Sequence, residues 1–173
     1  MNIPNIHAVR DSYNKALKAA QGEDSRFYST LAESEWYDYI FVILEGATQV
    51  ARSLAQGQNV LVHCSDGWDR TSQLCSLAGI FLDPYYRTII GFHTIIEKDW
   101  IRFGHQFAIR MGQGVNNPTG EEKSPIFLQF LDCVSQLLYQ YPTDFEFNYR
   151  YLQDMADLSQ TNLFGSFLCN NEL

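Results

Sequence analysis

The sequence predicts an α/β fold, rich in helix and short of strand, on three observations. Between Glu35 and Gln56 the apolar residues Trp36, Tyr39, Ile40, Ile43, Leu44, Ala47, Val50, Ala51 and Leu54 recur at three- and four-residue spacing, and Gly57 follows. That spacing is the signature of an amphipathic helix. Asn59-Val60-Leu61-Val62-His63 is a short β-branched run that reads as a buried strand. A polar loop then joins this run to a helical pattern over Thr71–Leu82, giving a strand-loop-helix unit.

The remaining elements follow in order. Residues 1–10 read as a short strand or leading segment, and a helix runs from Asp11 or Ser12, good N-caps, to Gly22. Gly22–Ser34 reads as loop. Asp83-Pro84 ends the helix after Leu82, because proline lacks an N–H and crowds the preceding turn. Tyr85–Phe107 is helical in pattern, as two helices meeting near Asp99, and Gly112–Ser124 is a loop rich in Gly, Asn and Pro. Ser124-Pro125 opens a helix that turns Ile126, Phe127, Phe130, Leu131, Val134, Leu137, Leu138 and Tyr141 inward, with proline at the first helical position. A further helix spans Asn148–Leu158. Roughly six helical patterns stand against at most two strands. A lone buried strand cannot satisfy its own backbone groups, so either strands hide in the loops or part of the domain lies outside this chain.

Composition narrows the function classes. At 173 residues, 46% hydrophobic and 14% aromatic, the chain has material for one core, which excludes intrinsic disorder. Twelve Lys+Arg against 20 Asp+Glu give a net charge of -8, which argues against a general nucleic-acid binder and against attachment to an anionic membrane by the overall field. Any attraction to phosphate must be local. No stretch approaches the ~18 apolar residues of a membrane span, and the opening has neither a basic start nor an apolar signal core, so a cytoplasmic chain is expected. Cys64, Cys75, Cys133 and Cys169 form no CxxC pair, and no metal or cofactor is expected. Cys75 and Cys133, among apolar residues, read as small core fillers.

The chemistry concentrates in Val60–Thr71, VLVHCSDGWDRT: apolar run, Cys64, five residues, Arg70, helix. A tight loop there turns successive N–H groups into one bowl, to which the helix N-terminus adds partial positive charge, and the bowl fits a phosphate dianion. Arg70 can grip two equatorial oxygens as charge spreads over them in the transition state. Those dipoles also favour a Cys64 thiolate able to attack phosphorus, forming a cysteinyl phosphate. Gly67 permits the turn, Thr71 can offer its hydroxyl to the sulfur, and His63 is expected to order the loop from behind. Two carboxylates, Asp66 and Asp69, could protonate the leaving alkoxide, and spacing does not choose between them. A bare C-x5-R spacing recurs by chance; the flanking strand, helix, His63, Gly67 and Thr71 together lift this one above that background.

HCSDGWDRT resembles the signature of the myotubularin family of phosphoinositide 3-phosphatases. NIHAVRDS, LDPYYRTIIGF, IEKDWIRFGHQF, SPIFLQFLDCV, FEFNYRYL and GSFLCNNE are similar to successive blocks of that family, in order, over essentially the whole chain. The resemblance implies a cysteine-dependent protein-tyrosine-phosphatase-like fold, here a helix-rich partial domain with few strands. It corresponds to the C-terminal part of the catalytic domain, without the N-terminal part or the PH-GRAM module. It further implies removal of the 3-phosphate from phosphatidylinositol 3-phosphate and 3,5-bisphosphate without a metal, at endosomal membranes to which the protein binds peripherally, and a possible homo- or heterodimer with other myotubularins. Carried over by residue, Cys64 is the nucleophile, Arg70 the phosphate clamp and Asp69 the general acid. Ser65, Asp66, Gly67 and Trp68 complete the loop, Asn5-Ile6-His7 approaches the headgroup, and Arg110 binds it. Most relatives carry a second basic residue where Gln106 stands, on the same helical face as Arg110, so the 3-monophosphate is expected to be favoured.

Plainer readings accompany these. Arg110 could be a solvated surface cation; His93 and His105 read as packed or capping residues; Trp36 and Trp100 read as core, and Trp68 as facing substrate or lipid. Two other function classes compete. Non-catalytic adaptors of the family usually lack the loop Cys, Asp or Arg, all present here. A phosphotyrosine phosphatase is a poor match for the Asp-rich loop.

Overall fold

A computed structural model describes residues 2–22, 26–112, 120–161 and 167, and the fold is helical throughout them. Helix α1, Ile6–Gln21, starts earlier than the sequence pattern indicates, because Asn5 caps it: its Oδ1 accepts the Ala8 N–H at 3.0 Å. A short helix, α2 (Phe27–Glu33), lies within the expected loop and buries nothing, which is why apolar periodicity did not reveal it. Helix α3, Trp36–Ala55, matches the amphipathic run and buries Trp36, Ile40, Ile43, Ala47, Val50 and Ala51.

The run after α3 departs most from expectation. Val60 to His63 has no regular secondary structure: no strand is formed among the described residues, and Leu61 is 87% exposed. A strand exists only through pairing, and none of the described residues pairs with this segment. The predicted buried strand is thus an open, unpaired stretch, and the described residues are helical where α/β was expected.

Helix α4, Arg70–Leu82, follows the loop and is buried on nearly every side. It packs along α3 and against α7, Ile126–Gln140. Three hydrogen bonds pin these helices: Gln73 donates to Ile126 O at 3.2 Å and Gln129 Oε1 at 3.0 Å, and the Trp36 indole donates to Asp132 at 2.7 Å. Such bonds matter because a buried amide without partners is costly. After a 3-10 turn, Pro84–Arg87, helix α5 (Ile89–Ile96) runs into a π-helical turn, Glu97–Ile101, around the Asp99 junction. A short α6, Phe107–Arg110, and α8, Tyr149–Gln160, complete the set; Asn148 caps α8 by accepting the Tyr151 N–H. No helix among the described residues is long and apolar enough to cross a membrane.

Trp100, from the π turn, is fully buried at the centre of the core. Phe130, Phe127 and His105 surround its ring at centroid distances of 4.9, 5.0 and 4.8 Å, and its Nε1–H donates to Ser76 on α4 at 2.9 Å. Trp36 and Cys133 are also core; Cys75 is only half-buried. The Trp100 contacts bring the residues just after the π turn beneath the start of α4, where the candidate site forms.

Gly91 is required by close approach: a Cβ there would stand 1.8 Å from the backbone oxygen of Tyr85. Gly91→Ala is therefore expected to destabilise the protein by about 3 kcal/mol, read by chemical denaturation. An unchanged midpoint would show that this turn yields easily.

Candidate active site

Residues 64–69 form a loop between the open 60–63 segment and the N-terminus of α4. Cys64 is half-buried at its start, and its sulfur accepts the Gly67 N–H at 3.2 Å. Gly67 has φ of 95°, while a Cβ there would meet nothing within 4 Å. Glycine is needed for the backbone conformation rather than for space. Burial acts to raise the Cys64 pKa, but the Thr71 hydroxyl and the N–H groups of Gly67, Thr71 and Asp66 outweigh it and hold the thiol below its ordinary value. Thr71 Oγ1 is buried without a nitrogen or oxygen partner among the described residues, and its hydroxyl donates to the Cys64 sulfur.

This predicts a reactive thiolate. Iodoacetamide should alkylate Cys64 with a pH midpoint below that of the same cysteine in an unfolded chain. Thr71→Val should move the midpoint upward. An unshifted midpoint in the variant would remove Thr71 from the account.

Arg70 spans the loop as α4 begins. Its guanidinium donates to Ser65 Oγ at 3.0 Å and to the backbone oxygen of Ile3 at 3.4 Å. Cys64, Arg70, Ile3, Val62 and Leu74 line one cavity of about 410 Å³. A larger one, about 810 Å³, lies between α3, α4 and α7 and includes none of the loop residues. Chemistry, not size, therefore identifies the candidate site.

The two loop carboxylates differ sharply. Asp66 is exposed, whereas Asp69 is buried. Although Asp69 stands at the cap position of α4, its side chain does not cap the helix; it turns to two other residues. Arg110 donates through its Nη2 to Oδ2 at 2.8 Å and through Nε to both oxygens at 3.2 and 3.3 Å. His105 Nδ1 lies 3.0 Å from Oδ1. Burial alone would raise the Asp69 pKa, but the hydrogen bonds and charges of His105 and Arg110 prevail and hold its carboxyl below the usual range.

The other candidates are placed as follows. Arg110, on α6, is buried rather than a solvated cation, and it also donates to Glu122 O at 3.1 Å. Gln106 is half-buried. Asn5 serves as the α1 cap, the Ile6 carbonyl accepts the Ser124 hydroxyl at 2.7 Å, and His7 is exposed. Because the Ser124 N–H also bonds to Arg110 O, residues 5–7, 105–110 and 120–124 gather beside the loop. Trp68 is half-buried, and its buried indole N–H has no hydrogen-bond partner among the described residues. His63 and His93 are exposed.

The sequence reading assigned His105 and Ser124 no part in this site. His105 reaches Trp68 across 37 residues and Ser124 reaches Ile6 across 118, and no local spacing signals either contact.

The model of the myotubularin-like phosphatase domain matches residues 1–173 of this chain. The chain belongs to the myotubularin family. It is 47% identical to a myotubularin of Xenopus laevis over 99% of its own length and 29% of the relative. It is 46% identical to the mouse phosphatidylinositol-3,5-bisphosphate 3-phosphatase MTMR2, covering 27% of that protein. With the phosphatidylinositol-3,5-bisphosphate 3-phosphatase mtm-1 of Caenorhabditis elegans the identity is 47%, over 30% of the relative. The chain thus spans under a third of the length of these myotubularin relatives. Two of these relatives are named as phosphatidylinositol-3,5-bisphosphate 3-phosphatases.

Proposed function

We propose that this chain carries the catalytic loop of a phosphoinositide 3-phosphatase acting on phosphatidylinositol 3-phosphate, with the 3,5-bisphosphate as a second substrate. The observation that supports it most is the Cys64 sulfur held by loop N–H groups and the Thr71 hydroxyl, with Arg70 across the same loop at the start of α4. Cys64 Sγ forms a bond to phosphorus while the bond from phosphorus to the inositol 3-oxygen breaks, and that oxygen takes a proton from an acid. Water then attacks phosphorus, releasing phosphate and restoring the thiolate. Arg70 and the loop N–H groups of Ser65 to Trp68 stabilise the charge on the equatorial oxygens in both steps.

Asp69 is the proposed acid. As described it is an ionised carboxylate held by Arg110 and His105, so donation requires that substrate binding loosen the Arg110 contact and let Asp69 take up a proton. An anionic headgroup competing for Arg110 supplies that change and gives Arg110 its headgroup role, beside Asn5, Ile6 and His7. With Gln106 in place of a second cation, the monophosphate is the better substrate. The fold is that of the cysteine-dependent tyrosine phosphatases, of which this chain forms the C-terminal part, acting peripherally on endosomal membranes and open to dimerisation with other myotubularins.

The adaptor reading retains one supporting observation: the 60–63 segment directly before the nucleophile pairs with no strand among the described residues and exposes Val60, Leu61 and His63. Trapping separates the two. Acid quench during turnover of short-chain phosphatidylinositol 3-phosphate should yield a phosphorylated Cys64 peptide by mass spectrometry. Recovery of unmodified Cys64 throughout turnover would refute the covalent mechanism.

A further inference from the structure

His105 is 1% exposed, and its ring sits edge-on to Trp100 and Phe107 at centroid distances of 4.8 and 4.7 Å. Its backbone is fixed as firmly: the His105 N–H donates to Trp100 O, and the Phe107 N–H donates to His105 O, each at 2.9 Å. Nδ1 faces two acceptors on the catalytic loop, the Trp68 carbonyl at 2.9 Å and Asp69 Oδ1 at 3.0 Å. Nε2 is buried without a hydrogen-bond partner among the described residues. A carbonyl oxygen cannot donate, so the ring proton that makes these contacts resides on Nδ1.

The Trp68 carbonyl and the Asp69 N–H belong to one planar trans peptide and point in opposite directions. With the carbonyl held by His105 at 2.9 Å and by the Ser72 hydroxyl at 3.0 Å, the Asp69 N–H is turned the other way. We propose that His105 is a positioning residue of the catalytic loop, whose Nδ1–H sets the Trp68–Asp69 peptide so that the loop presents its N–H groups to a phosphate. The proposal rests on the phosphatase reading of the loop. His105 touches no reacting atom; it acts through Trp68 and Asp69, while Arg110, Glu122, Cys64 and Arg70 are the other charged or ionisable groups gathered there.

Two substitutions of similar polarity separate positioning from packing. His105→Asn keeps an amide donor where Nδ1 stands, whereas His105→Gln carries it out to the Nε2 side, among the aromatic rings. Orthovanadate, which fills a phosphate bowl without requiring turnover, is the probe, with affinity scaled to the folded fraction of the 173-residue chain. The Asn variant should bind within about threefold of wild type and the Gln variant at least about tenfold more weakly. Equal affinities for the two variants would reduce His105 to a packing residue. Nitrogen-15 spectra of the wild-type imidazole supply the second readout, with the proton expected on Nδ1; a proton on Nε2 alone would overturn the proposal. Failure of the wild-type chain to bind orthovanadate would count against the phosphatase reading, and the tautomer would still decide the role of His105.

Discussion

Asp69→Asn is expected to lower stability near neutral pH by about 3–5 kcal/mol, the cost of leaving one member of a buried ion pair unpaired. Against a typical domain stability of about 5–15 kcal/mol that is a large share. The stranded group is Arg110. Among the described residues its remaining side-chain partners are the Glu122 carbonyl and, at 3.6 Å, a Glu122 carboxylate whose side chain is 57% exposed, too well solvated to compensate. Arg110→Met should cost a similar amount, and the double variant less than the sum, because it buries neither charge. Asp69 ionises more readily in the folded than in the unfolded chain. Its contribution is therefore complete above the unfolded carboxyl value, about 3.9, and is lost as pH falls through the lower folded value. Denaturation of wild type and Asp69→Asn should differ most near neutrality and converge in acid. A gap independent of pH would contradict the ion-pair account.

Turnover supplies a second reading of the same substitution. Inositol leaves as a poor alkoxide that needs a proton, whereas p-nitrophenolate leaves without one. Asp69→Asn should cost about 10²–10⁴-fold on the lipid and far less on p-nitrophenyl phosphate, after scaling to folded protein. A lipid-specific loss in Asp66→Asn instead would move the acid role to the exposed carboxylate.

Cys64→Ser should abolish turnover, a fall of roughly 10⁴-fold or more, because no other group replaces a missing nucleophile. The reason lies in the loop itself: N–H groups and a hydroxyl that lower the cysteine pKa do not bring a serine hydroxyl near ionisation at neutral pH. Stability should change little, within about 0.5 kcal/mol, since Cys64 is only half-buried and the Gly67 N–H can donate to oxygen as it does to sulfur. Lipid binding should therefore persist while release stops. Residual release at a tenth of the wild-type rate, or about that, would point to another nucleophile.

The parts of this molecule that were legible in sequence are those whose signal is contiguous. Helices α3, α4 and α7 repeat apolar residues at helical spacing, and the Cys64–Arg70 loop carries its chemistry in one run. The start of α1 was missed because the Asn5 cap outweighs the weak pattern of residues 6–10, and α2 because it buries nothing. Val60–His63 has the composition of a strand, but composition cannot provide the neighbouring strand. Least legible was the state of Asp69. Its partners lie 36 and 41 residues along the chain, and only the packing of Trp100 against α4 and α7 brings them under the loop.

Regiospecific phosphate release tests the central claim most directly. Short-chain phosphatidylinositol 3-phosphate and 4-phosphate are offered to the 173-residue chain and to a fusion that adds the rest of a relative's phosphatase domain, each as wild type and Cys64→Ser. The expected result is release from the 3-phosphate alone, lost entirely in both Cys64→Ser forms. No Cys64-dependent release from either length, or equal release from the 3- and 4-phosphates, would contradict the account.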